Sequence, residues 1–239
     1  MLGEHLGGVL GWFHPKRNEL GRRLHALKHV KPVAVSAIWR DLGRRAFEAL
    51  RLNRTSQFVT IDDAVLSKLV ALDDRPGGTL VLLPHLGHWE AMGVALVRSG
   101  FVFSAVSTLG KNDLINRWIQ EQRARVGLRV IDTPNAARRI VRELLDGGNI
   151  ALFMDVPSKR AGHVVRFLGR EVRRSTIAGR LGTLTGCSCV FVYNLRANDG
   201  RYHVHVEEIP DDADAIKWSH DRLETLISNH AEQWVWLLE

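Results

Sequence analysis

From Thr79 onward, short unbroken apolar runs alternate with longer stretches whose apolar residues recur every three or four positions. The runs LVLLP at 80–84, FVFSAV at 101–106 and IALFMDV at 150–156 have the near-continuous apolarity of strands covered on both faces. Strands are expected at 79–84, 101–107, 128–132 and 149–155. Helices are expected between them at 88–98, 113–125 and 136–146, ending at Gly100, Gly127 and Gly147–Gly148, where glycine suits a left-handed cap. Strands alternating with helices predict an α/β fold with a mostly parallel central sheet flanked by helices. Residues 156–175 are basic and irregular, with a strand or hairpin at 163–168. A helix at 176–185 follows. Strands at 188–195 and 201–209 are joined by Ala-Asn-Asp-Gly, a hairpin signal, and a final helix is expected over 213–236.

The first third has a different pattern. Residues 16–30 read as a basic, partly helical arm. Val35, Ile38, Trp39, Leu42, Ala46, Phe47 and Leu50 recur at helical spacing, with Arg40, Arg44 and Arg51 on another face. Asn53–Ser56 breaks this helix, Thr60–Asp63 resembles a capping signal before a helix at 64–72, and DDRPGG at 73–78 is a turn. The organisation expected is a helical, basic subdomain at 1–72 packing on an α/β core at 73–239.

Charge sharpens this division. Residues 1–54 hold eleven Lys and Arg against four Asp and Glu, so the whole net charge of +7 lies there. Such a region draws anionic lipid or another polyanion, although a solvated helix face is the simpler reading of a charge run. Nucleic acid is not expected as a partner. No apolar run approaches the ~20 residues of a membrane span, and the Gly-rich stretch 1–13 lacks the form of a secretory signal. The two cysteines, Cys187 and Cys189, share one strand face and are poorly placed for a disulfide. A reduced, cytoplasmic setting follows, and no metal is expected there.

The candidate chemistry lies at 80–90, LVLLPHLGHWE, where a strand ends and a helix begins. The HxxxxE spacing occurs three times: His14/Glu19, His85/Glu90 and His203/Glu208. An odd offset along one strand sends His203 and Glu208 to opposite faces, and His14 lies in the basic arm. Only His85/Glu90 falls at a strand-to-helix junction, where α/β folds place ligands. Residues five apart on a helix lie about 140° apart. His85 therefore precedes the helix, in a turn that Gly87 permits. Glu90, in the first helical turn, is expected to accept the far ring N–H of His85 and so fix it as a general base. The helix N-terminus offers amides for a developing oxyanion. A structural His capping the helix, or a metal bound by His85, His88 and Glu90, are the alternatives.

The block PHLGHWE resembles one in the bacterial late lipid A biosynthesis acyltransferases and the similar phosphatidylinositol mannoside acyltransferases, of the lysophospholipid acyltransferase superfamily. Further blocks follow in order: Arg40–Arg44 with Phe47-Glu48, Asn112–Trp118 running to Arg123 and Gly127, Gly148–Asp155, Val165–Gly169, Ser175–Gly186, Asp199–Tyr202 and Glu232–Trp236. The resemblance covers about residues 35–236 and implies a glycerol-3-phosphate acyltransferase-like fold. It also implies transfer of a fatty acyl group from acyl-CoA or acyl carrier protein to a hydroxyl of a lipid or small-molecule acceptor. No cofactor is implied beyond the acyl thioester as co-substrate. His85 would deprotonate the hydroxyl, Glu90 would orient His85, and no acyl-enzyme would form, consistent with the absence of a GxSxG nucleophile motif.

The matched blocks offer Gly87, His88, Trp89, Arg123, Asp155 and Arg166 as substrate-binding residues. Arg123 would hold a phosphate; Asp155 would face the pocket or pair with Lys159 or Arg160. His88 stands where the family has Asn, and Val156 where it has Gln. The family's N-terminal membrane-spanning helix and basic tail are missing. These departures favour a cytoplasmic enzyme, peripheral on the inner face of the membrane, acting on a glycolipid or another hydroxyl. A thioesterase using the same site and a non-catalytic module binding anionic membrane are the competing readings.

Overall fold

The computed structural model describes all residues except 1, 16, 28–29, 73–74, 76, 108–112, 133–135, 159–161 and 239; among side chains, those of 2, 10, 12, 13, 17, 115 and 238 are also not described. Four helices open the chain: α1 Leu2–Phe13, α2 Arg17–Ala26, α3 Val35–Ala49 and α4 Leu52–Thr55. A two-residue strand β1 (Val59–Thr60) and helix α5 (Asp63–Val70) follow. The alternating series is β2 Thr79–Leu83, α6 Trp89–Arg98, β3 Ser104–Ser107, α7 Asp113–Arg125, β4 Arg129–Asp132, α8 Ala136–Leu145 and β5 Asn149–Phe153. A hairpin, β6 His163–Phe167 and β7 Arg170–Arg174, leads to α9 Ile177–Thr185, β8 Ser188–Arg196, β9 Tyr202–Glu208 and α10 Ala215–His230.

The seven-stranded sheet has the order β1-β9-β8-β2-β5-β3-β4, with β6 and β7 in a separate two-stranded sheet. Strands β8, β2, β5, β3 and β4 run parallel, β9 pairs antiparallel with β8, and β1 runs parallel to β9. The α/β fold with a mostly parallel sheet is therefore the one the apolar rhythm predicts. The segment before residue 73 supplies β1, the edge strand beyond β9.

Strand β2 shows why this arrangement holds. Leu80 and Leu82 join one apolar cluster with Ile150 and Leu152, while Val81 joins the opposite one with Ala151, Val190 and Val192. Alternate residues thus enter the cores on the two faces of the sheet. Burying each such side chain contributes about 1.5–3 kcal/mol, and a slip of one residue would exchange the two sets.

Two expectations change. The buried residues of α3 are Ile38, Trp39, Asp41 and Arg45, whereas Leu50 is 59% exposed. Ile38 and Trp39 are buried as the spacing predicts, but Asp41 and Arg45 are buried with them; Gly3, Gly7 and Gly11 let α1 lie close against α3. A Cβ on Gly7 would sit 2.3 Å from the Trp39 carbonyl oxygen. The final helix ends at His230 rather than 236, and a short 3-10 turn at Ala231–Gln233 leads into extended chain at Trp234. There tertiary hydrogen bonds replace helical ones: Gly87 N donates to Gln233 O (3.0 Å) and Val235 N to His85 O (3.1 Å). Asp73, Asp74 and Pro76 of the expected turn, and Asn112, lie outside the described residues. No helix among the described residues is long and apolar enough to cross a membrane.

Candidate active site

Strands β2, β5 and β3 are neighbours and run parallel, so their C-terminal ends open onto one edge of the sheet. In an α/β sheet that edge is where ligands bind. Strand β2 delivers His85, the chain just beyond β5 delivers Asp155, and β3 ends at Ser107.

Asp155 holds His85 at two points. The His85 backbone N–H donates to Oδ2 (2.8 Å), and His85 Nδ1 lies 2.8 Å from Oδ1. The Trp234 indole N–H donates to Oδ2 at 3.0 Å. Asp155 is wholly buried. Burial alone would push its carboxyl upward, but the hydrogen bonds and charge of His85 and the Trp234 bond outweigh it, and the net shift is downward. An ionised Asp155 accepts a hydrogen bond from Nδ1–H, which leaves Nε2 as the nitrogen that can act as a base. The imidazole stacks on Phe153 at 3.8 Å between centroids and meets Trp89 edge to face at 5.1 Å. With its side chain 15% exposed, His85 presents an oriented base at the rim of the sheet.

Glu90 does not orient His85, and that expectation is corrected. Its carboxylate takes two bonds from Arg123: Nε to Oε2 (3.2 Å) and Nη2 to Oε1 (2.5 Å). Arg123 Nη1 donates to Ser107 Oγ at 2.9 Å. The helical turn that carries Glu90 aims it toward α7, while the end of β5 brings Asp155 beside the imidazole. Lys159 and Arg160, the alternative partners of Asp155, lie outside the described residues.

His88 turns inward rather than toward a substrate, which corrects its place among the binding residues. It is 3% exposed, and its Nδ1 accepts the Ala91 N–H at 3.4 Å as the cap of α6. Its ring meets Tyr202 edge to face, with Nε2 3.8 Å from Glu48 Oε2. Burial, with Arg45 and Arg44 nearby, lowers its pKa to about 3, so the ring is neutral. Gly87 is buried, with φ +64°; a Cβ there would lie 2.0 Å from Asn194 Oδ1. It shapes the turn. Arg166 is exposed on β6 beside Lys217, Asp221 and Glu224, and among the described residues no bond joins it to His85. Trp89 and Arg123 remain beside the base and beside Glu90. His85, His88 and Glu90 do not converge, and no group of three potential metal ligands occurs among the described residues.

Trp234, Asn194 and Arg45 were missed as contributors. Trp234 had a signal, since it sits in the matched block Glu232–Trp236. Buried Asn194 accepts the His88 N–H through Oδ1 (2.7 Å) and donates from Nδ2 to His88 O (3.1 Å), and nothing in its strand's alternation marks it.

The site thus combines an Asp-oriented His with an Arg–Glu pair at the ends of adjacent parallel strands. Comparison with known proteins finds related sequences. The phosphatidylinositol mannoside acyltransferase of Mycolicibacterium smegmatis (strain ATCC 700084 / mc(2)155) is 26% identical over 205 residues, covering 82% of this chain. The chain spans 66% of that relative's length, just under two thirds. The match extends through α3, the sheet and the Trp234 segment: over residues 35–239 the chain belongs to the bacterial lipid A biosynthesis acyltransferase family.

Proposed function

We propose that this protein transfers a fatty acyl group from an acyl thioester, carried on CoA or acyl carrier protein, to a hydroxyl of a glycolipid or similar lipid acceptor. The observation that carries this reading is His85, bound through Nδ1 to buried Asp155, with no partner for Nε2 among the described residues. Family membership supports the reaction class.

In the proposed reaction, His85 Nε2 takes the proton of the acceptor hydroxyl as its oxygen attacks the thioester carbonyl carbon. The C–O bond forms and a tetrahedral oxyanion develops, which backbone amides at the N-terminus of α6 would stabilise. The C–S bond then breaks, and the leaving thiolate recovers the proton from His85. Asp155 stabilises the imidazolium throughout without accepting the proton. Arg123 has five N–H donors; among the described residues three are engaged by Glu90 and Ser107, and the other two would hold a phosphate of donor or acceptor.

The acceptor proposed is a membrane glycolipid of the kind named for the mycobacterial relative. Peripheral contact with the inner face of an anionic membrane would bring it within reach. Leu6 and Val9 of α1 are 51% and 57% exposed, and the N-terminal quarter carries the net positive charge. The test is mass spectrometry of products from purified protein offered palmitoyl-CoA or palmitoyl-acyl carrier protein with phosphatidylinositol mannoside, a lipid A precursor and small alcohols. An acylated acceptor whose formation needs His85 is expected. Free fatty acid alone, whatever the acceptor, would make the protein a thioesterase.

A further inference from the structure

We propose that Arg45 is a positioning residue for the catalytic turn, holding His85 against Asp155 through the Gly87 carbonyl. The inference rests on His85 being the general base. Arg45 is 4% exposed and donates from Nη1 to Gly87 O at 2.7 Å, across 42 residues of sequence. Its Nε lies 2.6 Å from Asp41 Oδ2, and Asp41, also 4% exposed, is paired with Arg44 as well. The Arg45 guanidinium carbon lies 5.7 Å from the Trp89 ring centre. One buried side chain therefore touches the turn at Gly87 and the aromatic neighbour of His85.

The other backbone groups of the turn have partners of their own. His85 N is tied to Asp155 and His85 O to Val235 N. Gly87 N is tied to Gln233 O, and His88 N and O to Asn194. Among the described residues Arg45 supplies the bond to Gly87 O and is the one charged side-chain donor in this set. Gly87 is buried, so its carbonyl, deprived of Arg45, has no ready access to water. The backbone must then shift to rehydrate it, and His85 lies two residues away. Stability alone is a poor reason for a buried ion pair, because apolar replacements are often as stable. Placement of the Gly87 carbonyl is a reason that an apolar side chain cannot meet.

The test compares Arg45→Met and Arg45→Lys with the wild-type chain by proton NMR and by thioester turnover on palmitoyl-CoA. A low-field imidazole N–H signal, assigned by its loss in His85→Ala, reports the His85–Asp155 bond without any substrate. The wild type is expected to show it. Arg45→Met should lose or broaden it, with kcat lowered about 10–100-fold and KM nearly unchanged, as expected of a misplaced base. Arg45→Lys, which keeps a donor and a charge, should restore most of both. A folded Arg45→Met that keeps the signal and kcat overturns the inference, as does a folded Arg45→Lys that lacks them. If Arg45→Met does not fold, the Lys variant decides alone. A wild type without the signal, or an active His85→Ala, defeats the general-base reading itself, a separate outcome.

Discussion

His85 and Asp155 are joined twice, once through the backbone N–H and once through the imidazole, at 2.8 Å in each case. The two hydrogen bonds fix both where the ring begins and which way it faces, so the tautomer is set before any substrate arrives. Neutral imidazole has one donor and one acceptor nitrogen; with the donor committed to Asp155, Nε2 is the acceptor.

Trp234 should control the charge on Asp155. Trp234→Phe removes the indole N–H from Oδ2 and leaves a buried carboxylate one donor short, at a cost of about 1–3 kcal/mol in urea unfolding. The pKa of Asp155 is held down in the native state, so its contribution to stability is present above its ordinary value and lost as pH falls. Removing a donor raises that pKa, and acid unfolding should begin at higher pH in Trp234→Phe. An unchanged acid transition would contradict this role.

Glu90 and Arg123 should behave as one unit. Each single neutral variant, Glu90→Gln or Arg123→Gln, strands the partner's charge at a half-buried position. Both singles should lose activity, and the double variant should be no worse than the poorer single, with a coupling of about 0.5–3 kcal/mol. Losses that simply add would mean that the two side chains act independently.

His88 predicts a pH dependence away from the chemistry. Its pKa falls from an ordinary 6.5 to about 3 on folding, so the native state excludes a proton that the unfolded chain accepts. Stability from this group is full above about pH 6.5 and drains away as pH falls toward 3. His88→Asn keeps a helix cap but does not titrate, and its unfolding free energy should fall less steeply over that window. Equal slopes would place the acid sensitivity elsewhere.

The sheet was legible because doubly covered strands leave unbroken apolar runs and each following helix closes on a glycine. His85 was locatable for the same reason, as the first polar side chain beyond the Pro84 strand end. Its partner was not. Asp155 lies 70 residues away and becomes a neighbour only because β5 inserts between β2 and β3, an order that the sequence does not write. Glu90, near in sequence, was the natural choice, and α7 captured it through Arg123. The inward turn of Arg45 beside exposed Arg40 was equally hidden, since helical spacing placed the apolar seam of α3 at Val35, Ile38, Trp39, Leu42, Ala46, Phe47 and Leu50. Glycines at 3, 7 and 11 were the missed cue that α1 would cover the other side.

The central claim is that His85 is a base oriented by Asp155. The most direct measurement is the single-turnover rate of acyl transfer from palmitoyl-CoA to the acceptor identified by product analysis, for the wild type, His85→Ala and Asp155→Asn, each checked for native unfolding. His85→Ala should be inactive. Asp155→Asn should lose on the order of 100- to 10,000-fold in rate with little change in substrate binding. An Asp155→Asn protein that turns over within a few-fold of wild type, or an active His85→Ala, would contradict the account.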